Sequence, residues 1–69
     1  MKELTISVNG EPRRLTAPAT LADLLQALKL DPRTVVVELN RQIVRRPVLG
    51  ATALEDGDSV ELVHFVGGG

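Results

Sequence analysis

The chain has 69 residues, fewer than half of the roughly 150 typical of one domain, so we expect a single small domain with little material for a catalytic pocket. Its composition, 43% hydrophobic and 25% charged, is that of a globular protein, and its net charge of −1 gives no overall attraction to nucleic acid or to an anionic membrane. Cysteine is absent, which excludes disulfides and thiol chemistry and suits the reducing cytoplasm.

A β-hairpin is predicted at the start of the chain. Residues 4–8 alternate apolar and polar side chains, which is the period of a half-buried strand. Asn9 and Gly10 predict a type I′ turn, because both residue types tolerate positive φ. Residues 11–15 form the returning strand, and Pro12 places it at the edge of the sheet because proline has no N–H to donate.

A short helix is predicted after the hairpin. Thr20 and Asp23 form an acidic variant of the capping box at its start. Pro32 disfavours helical geometry at the preceding residue, so the helix should end near Leu30. A helix of about 11 residues is not stable alone and needs a sheet beneath it. The leucines that would pack on that sheet recur at the spacing of one helical face: Leu21, Leu24, Leu25 and Leu28.

The second half of the chain predicts three more strands. Val35–Leu39 is rich in β-branched residues, and Gln42–Val44 returns after a tight turn at residues 40–41. Residues 45–52 contain proline and glycine and are predicted to be irregular. Residues 59–66 form the last strand. One of its faces carries Val60, Leu62, His64 and Val66, and the other carries Val63 and Phe65.

The order of these elements predicts the fold. Placing the first and last strands side by side in the middle of a sheet, with the helix across it, would bury all the apolar faces. This is an α+β, single-domain β-grasp (ubiquitin-like) roll with a mixed sheet of four or five strands. We assign residues 1–66 to the domain and residues 67–69 to a flexible C-terminal tail.

The side chains available for catalysis are few. His64 is the only histidine, and its phase in the last strand indicates a structural or rim position. We find no Ser-His-Asp set and no pair of ligands at metal-site spacing. The acidic turn at residues 55–58 resembles part of a calcium loop but lacks the other ligand positions. We therefore expect no catalytic residue and no metal site in this chain, which argues against a small hydrolase or metalloprotein.

Arginines near the predicted turns form the main charged group. They are either a solubilising face or a docking patch for an acidic partner, where charge pairing sets the orientation. RNA binding is the weaker interpretation, because Phe65 is the only aromatic residue. The arginines concerned are Arg13, Arg14, Arg41, Arg45 and Arg46.

Three glycines, Gly67, Gly68 and Gly69, follow the last apolar strand. Glycine has no Cβ, so such a tail can pass through a narrow channel and reach about 10 Å at 3.3–3.6 Å per residue. We expect it to present the α-carboxylate of Gly69 to the active site of another protein. Attack by that carboxylate on the α-phosphate of ATP would give an acyl-adenylate, and a sulfur nucleophile could convert this to a thiocarboxylate.

Six stretches together match a known family in their order and spacing: residues 8–11, 24–28, 35–40, 44–46, 54–58 and 60–69. Through them the sequence resembles the ThiS family of sulfur carriers in thiamine biosynthesis over essentially its whole length. The resemblance implies that Gly69 is adenylated by a ThiF-like adenylyltransferase using ATP with Mg²⁺, while the carrier itself binds no cofactor. It further implies that a cysteine desulfurase is the indirect sulfur source and that ThiG, the thiazole synthase, takes the sulfur.

Other proteins with this fold remain alternatives. They are the carriers for molybdopterin synthesis, the carriers for tRNA thiolation and ubiquitin-like binding modules. The small subunit of molybdopterin synthase usually has prolines before its final glycines, where Phe65 stands here, and this favours the thiamine carrier. We predict that the chain is a protein cosubstrate rather than an enzyme. Its predicted partner-docking residues are Val63, Phe65, Arg45 and Arg46.

Overall fold

A five-stranded mixed sheet forms the body of the computed structural model, which describes residues 2–65. The predictions made for Val66 and for the glycine tail lie outside these residues. The strands are β1 (Lys2–Val8), β2 (Glu11–Ala17), β3 (Val35–Leu39), β4 (Gln42–Val44) and β5 (Ser59–His64). The helices of this part of the chain are α1 (Leu21–Ala27) and two 3-10 helices, Pro32–Thr34 and Arg46–Ala51.

The first and last strands are neighbours in the middle of the sheet, whose order is β2-β1-β5-β3-β4. β1 and β5 are parallel, and the other neighbouring pairs are antiparallel. This order confirms the predicted β-grasp arrangement. β2 lies at an edge, as Pro12 predicted.

The core lies between α1 and one face of the sheet. Leu21, Leu24 and Leu25 of α1 are almost completely buried, and alternate residues of the strands complete the cluster. The two predicted faces of β5 are confirmed where the structure describes them, since Val60 is buried and Val63 is exposed. The strand residues of the core are Leu4, Ile6, Val35, Val37, Val60 and Leu62.

The start of α1 is as predicted, but its end is not. Thr20 Oγ1 accepts a hydrogen bond from the Asp23 N–H at 3.1 Å, and Asp23 Oδ2 accepts one from the Thr20 N–H at 2.9 Å, which completes the capping box. The helix ends at Ala27 because Lys29 takes a φ of 60°. The predicted end near Leu30 is therefore wrong.

A Schellman motif causes this early ending. The Lys29 N–H donates to the Gln26 carbonyl at 3.0 Å, and the Leu30 N–H donates to the Leu25 carbonyl at 2.9 Å. Glycine is the usual residue at the left-handed position of this motif. A lysine at this position does not indicate the end of a helix. Pro32 was therefore the only residue from which the end of α1 could be predicted.

Other element boundaries also differ from the prediction. β1 begins at Lys2 and β2 continues to Ala17, because these two residues pair with each other across the hairpin. The segment predicted to be irregular contains the 3-10 helix Arg46–Ala51, with proline in its first turn. Both tight turns are confirmed, with positive φ at Asn9, Gly10, Asn40 and Arg41.

Candidate functional site

The candidate site is the end of the sheet where β5 leads into residues 66–69. β3 begins and β4 ends here, because β3 runs antiparallel to both of its neighbours. The Phe65 N–H donates to the Thr34 carbonyl at 3.3 Å, so the last described residue is still held beside β3. We call this region the exit end and define it by Thr34, Val36, Arg45, Val63 and Phe65.

Two asparagine side chains hold β5 from opposite sides. Asn9 Oδ1 accepts a hydrogen bond from the Leu62 N–H at 2.8 Å, and Asn40 Oδ1 accepts one from the Ser59 N–H at 2.9 Å. Each asparagine is the first residue of a tight turn, so both hairpins are tied to the strand that precedes the tail. Sequence reasoning used these asparagines only as turn signals and missed this role.

Apolar side chains are exposed on the sheet face opposite α1. Val63 pairs with Val36 across β5 and β3, and Phe65 and Ile43 lie on the same face by strand alternation. Val63 is 55% exposed and Ile43 is 65% exposed. We call these four residues the outer-face patch. It joins the predicted Val63 and Phe65 to two residues that the sequence analysis did not include, although the alternation in β3 and β4 could have indicated them.

Arg45 and Arg46 lie at the margin of this patch. With exposed Val36 and Ile43 they line a shallow groove of about 390 Å³ beside the end of β4. Neither arginine forms an ion pair within residues 2–65. Positive charge therefore borders one side of the apolar surface and could face an acidic partner there. Glu38 and Glu61 lie on the same sheet face and place negative charge on the side away from the exit end.

The other predicted arginines are separated from this group. Arg14 lies on the edge strand β2, where its guanidinium is 3.9 Å from Glu3. Arg13 lies beside it on β2, and Arg41 lies in the turn at the opposite end of β4. The five predicted arginines thus lie in different parts of the surface, and only Arg45 and Arg46 lie beside the outer-face patch.

A local ion pair occupies the segment that leads into β3. The Arg33 side chain donates to both Asp31 carboxylate oxygens, with Nη2 2.9 Å from Oδ2, and the Arg33 backbone N–H donates to Oδ1 at 2.9 Å. These side-chain and backbone hydrogen bonds lower the Asp31 pKa from 3.8 to about 2. The Arg33 guanidinium is therefore paired with Asp31 of the same chain.

We expect the Asp31 carboxyl group to titrate at about pH 2. Because the folded-state pKa is lowered, the stabilisation from ionised Asp31 is complete above pH 3.8 and is lost as the pH falls through about 2. Titration of the carboxyl carbon by NMR measures this value. Arg33→Gln should move the pKa back towards 3.8, whereas Arg41→Gln, a distant control, should not. An ordinary Asp31 pKa in the unmodified protein would contradict the ion pair.

The other features of residues 2–65 concern metal sites, membrane-spanning helices and catalytic side chains. No cluster of three or more His, Cys, Asp or Glu within residues 2–65 could hold a metal ion. No helix in the same range is long and apolar enough to cross a membrane. His64 is exposed at the end of β5. The predicted tail residues Gly67, Gly68 and Gly69 lie outside the described part of the chain.

The sheet order, the packing of α1 across the sheet and the central position of β5 define a β-grasp, ubiquitin-like protein. The structure is similar to the crystal structure of the thiamine biosynthesis protein ThiS from Geobacter metallireducens, with a TM-score of 0.81 and 38% identity, over 96% of this chain and 100% of that chain. The model of the ThiS family matches residues 6–69. The chain belongs to the ThiS family.

Two curated relatives extend this comparison. The sulfur carrier protein ThiS of Bacillus subtilis is 42% identical over 50 residues, which cover 72% of this chain and 76% of that protein. A thiazole synthase of Magnetococcus marinus is 44% identical over 66 residues, which cover 96% of this chain. The match covers only 20% of that synthase, so the chain spans a fifth of its length.

Proposed function

We propose that this protein is a sulfur carrier for the synthesis of the thiamine thiazole and that the Gly69 carboxyl group carries the sulfur. The observation that carries the proposal is the ThiS-family match, which includes the three glycines and continues to Gly69. The similarity to the Bacillus subtilis sulfur carrier supports it. The placement of β5 also supports it, because a strand held by both hairpins gives the tail a defined starting point.

The proposed chemistry takes place in partner enzymes. In a ThiF-like adenylyltransferase, a Gly69 carboxylate oxygen attacks the α-phosphorus of ATP, whose charge Mg²⁺ partly neutralises, and pyrophosphate leaves. Hydrosulfide then attacks the carbonyl carbon, and AMP leaves with a proton released to solvent. The product is a C-terminal thiocarboxylate. A cysteine desulfurase is the indirect source of this sulfur: it forms a persulfide, which two thiols reduce to hydrosulfide while they are oxidised to a disulfide. The chain contributes a reactive carboxyl group on a segment without side chains and is a cosubstrate rather than an enzyme.

A thiazole synthase of the ThiG type is the proposed acceptor of this sulfur. The thiazole synthase of Magnetococcus marinus contains a segment that is 44% identical to this chain. A carrier-like segment inside a synthase polypeptide is consistent with the two units working on the same reaction. This protein would bring the sulfur to the synthase through its tail.

Intact-mass measurement tests the proposal. The protein is incubated with ATP, Mg²⁺, sulfide and a ThiF-like enzyme that is first shown to act on the Bacillus subtilis carrier. We expect a mass gain equal to the replacement of one oxygen by sulfur, localised to the C-terminal peptide. Absence of this gain with an active enzyme would overturn the proposal. The mass of the protein from its native cell shows separately whether the mature chain ends at Gly69.

The outer-face patch is the proposed docking surface for the adenylating enzyme. Its apolar residues are exposed beside the origin of the tail, and Arg45 and Arg46 supply charge that can orient an acidic partner. Phe65 is its one aromatic residue, and buried aromatic side chains often dominate the energy of an interface. It is also the residue of the patch closest in sequence to Gly69.

We expect Phe65→Ala to weaken binding to the adenylating enzyme by about tenfold, as for an interface hot spot. The free energy of unfolding should fall by less than about 1 kcal/mol, because nearly half of the side chain is already exposed. Calorimetric binding and urea denaturation measure the two effects. Val48→Ala, an exposed aliphatic residue outside the patch, is the control. A loss of binding no larger than the loss of stability would count against the docking role.

A further inference from the structure

In the described part of the chain, one side of β5 has no neighbouring strand near the exit end. β1 pairs with β5 only through Ser7 with Ser59 and Val8 with Val60. β5 continues to His64, and along this extension it pairs with β3 on the other side, up to the pair of Val35 with His64. Within residues 2–65, no strand covers the side that β1 leaves. We call residues 62–64 on this side the open edge.

The hydrogen bonds between β5 and β3 show which residues of β5 direct their backbone groups towards β3. The Asn40 N–H donates to the Ser59 carbonyl at 2.8 Å, and the Phe65 N–H donates to the Thr34 carbonyl at 3.3 Å. Hydrogen-bonded and non-hydrogen-bonded pairs alternate along an antiparallel ladder. The odd-numbered residues from 59 to 65 therefore direct their backbone groups towards β3.

The even-numbered residues direct their backbone groups the other way. The Val60 carbonyl accepts from the Asn9 N–H at 2.9 Å, and the Leu62 N–H donates to Asn9 Oδ1 at 2.8 Å. The Asn9 side chain thus takes the place of the next strand residue and ends the ladder. The Leu62 carbonyl and both backbone groups of His64 point to the open edge, with no strand of residues 2–65 beside them.

A groove of about 410 Å³ lies beside this open edge. Leu28 and Leu30, which follow α1, provide much of its apolar lining together with Val8 at the end of β1 and Leu62 of β5. Arg13 and His64 stand among its polar residues. A strand added at the open edge would direct alternate side chains to this groove, since successive side chains of a strand point to opposite faces.

We propose that an extended segment of the thiazole synthase adds to the sheet at this open edge. The segment would accept a hydrogen bond from the His64 N–H, donate to the Leu62 and His64 carbonyls, and place one apolar side chain in the groove. Strand addition of this kind takes its affinity from main-chain hydrogen bonds and its specificity from alternate side chains. The inference rests on the proposed function, because it needs an enzyme that receives Gly69.

The short distance from Phe65 to Gly69 along the chain limits the occupant to an enzyme that receives Gly69. Residues 66–69 can span at most about 13–14 Å at 3.3–3.6 Å per residue. An enzyme that brings Gly69 into its active site must therefore lie against the surface around Phe65, which includes the open edge one residue earlier. The thiazole synthase is the favoured partner because a thiazole synthase carries a segment similar to this chain.

His64→Pro and His64→Ala form a matched pair for testing the proposal. Both remove the imidazole, but only proline removes the N–H and places a ring at the open edge. That N–H makes no bond to β3, and proline is tolerated where the N–H side of a strand is unpaired, so the fold should persist. We expect His64→Pro to weaken binding to the thiazole synthase of the same organism at least about tenfold, and His64→Ala by less than about threefold.

Amide hydrogen exchange of the unmodified carrier gives a second measurement that does not depend on folding of the proline variant. Binding of the synthase should slow exchange at the His64 N–H, whereas the Val63 N–H, already directed to β3, should change little. Equal binding of both variants with unchanged His64 exchange would overturn the strand-addition proposal alone. If the unmodified carrier, with its thiocarboxylate, neither binds the synthase nor transfers sulfur to it, the proposed acceptor is wrong as well.

Discussion

We expect deletion of Gly69 to abolish thiocarboxylate formation while the domain stays folded. The deletion moves the terminal carboxyl group back by about 3.3–3.6 Å, and a misplacement of even about 1 Å can reduce a reaction rate by about two orders of magnitude. Among residues 2–65 the buried core lies between Leu4 and Leu62, and the deletion removes none of these residues. Pyrophosphate release and the intact mass of the product measure the loss.

Extension of the chain by one residue after Gly69 should have the same effect for a different chemical reason. The Gly69 carbonyl carbon is then part of an amide, and no carboxylate is available there to attack ATP. An equal extension before Met1 is the matched control and should leave the reaction unchanged. Sulfur incorporation by the deletion variant at the wild-type rate would show that Gly69 is not the reactive residue.

The largest expected effect on stability is that of Leu24→Ala. Leu24 is 0% exposed at the centre of the core, and truncating a buried leucine costs about 2–5 kcal/mol. At about 0.05–0.15 kcal/mol per residue, a domain of this size has a total stability of roughly 3–10 kcal/mol. The substitution therefore removes a large share of the stability, and urea denaturation followed by circular dichroism measures it.

Ile43→Ala is the control for this prediction. It also removes an aliphatic side chain, but Ile43 is 65% exposed, and surface substitutions usually change stability by less than about 0.5 kcal/mol. The comparison separates packing in the core from loss of an apolar side chain in general. Equal destabilisation by the two variants would mean that α1 does not pack on the sheet as described.

The two proposed interaction surfaces lie on different sides of the same strand. The outer-face patch covers the sheet face opposite α1, whereas the open edge runs along the side of β5 that β1 leaves uncovered. Both lie close to Phe65, the residue from which residues 66–69 can span at most about 13–14 Å. An adenylating enzyme and a thiazole synthase could thus recognise the carrier through different residues, and Phe65→Ala and His64→Pro should affect the two partners differently.

Most element types could be predicted because each depends on local spacing. Alternation defined β1, the spacing of Leu21, Leu24 and Leu25 defined α1, and the Asn9 turn defined the hairpin. The end of α1 could not be predicted, because Lys29 takes a left-handed conformation that glycine usually signals. That ending depends on hydrogen bonds formed in the folded chain rather than on residue type.

The candidate site was predicted only in part. Val63 and Phe65 were recognised from the alternation of one strand, but Val36 joins them only through the pairing of β3 with β5. The hydrogen bond from the Leu62 N–H to the Asn9 side chain joins residues 53 positions apart, so no local sequence pattern indicates it. Contacts between residues so far apart are set by strand order and register, which a single sequence does not display.

The sequence by itself determined the elements, the apolar faces and the three terminal glycines, because these depend on neighbouring residues and on residue type. Only the tertiary structure decided which strands stand beside β5 and where β1 stops along it. It thereby placed Arg45 and Arg46 beside the outer-face patch and left the backbone groups of His64 directed at an open edge. The physical reason is that β-sheet pairing joins distant segments through backbone hydrogen bonds, whose register follows from the packing of the whole domain.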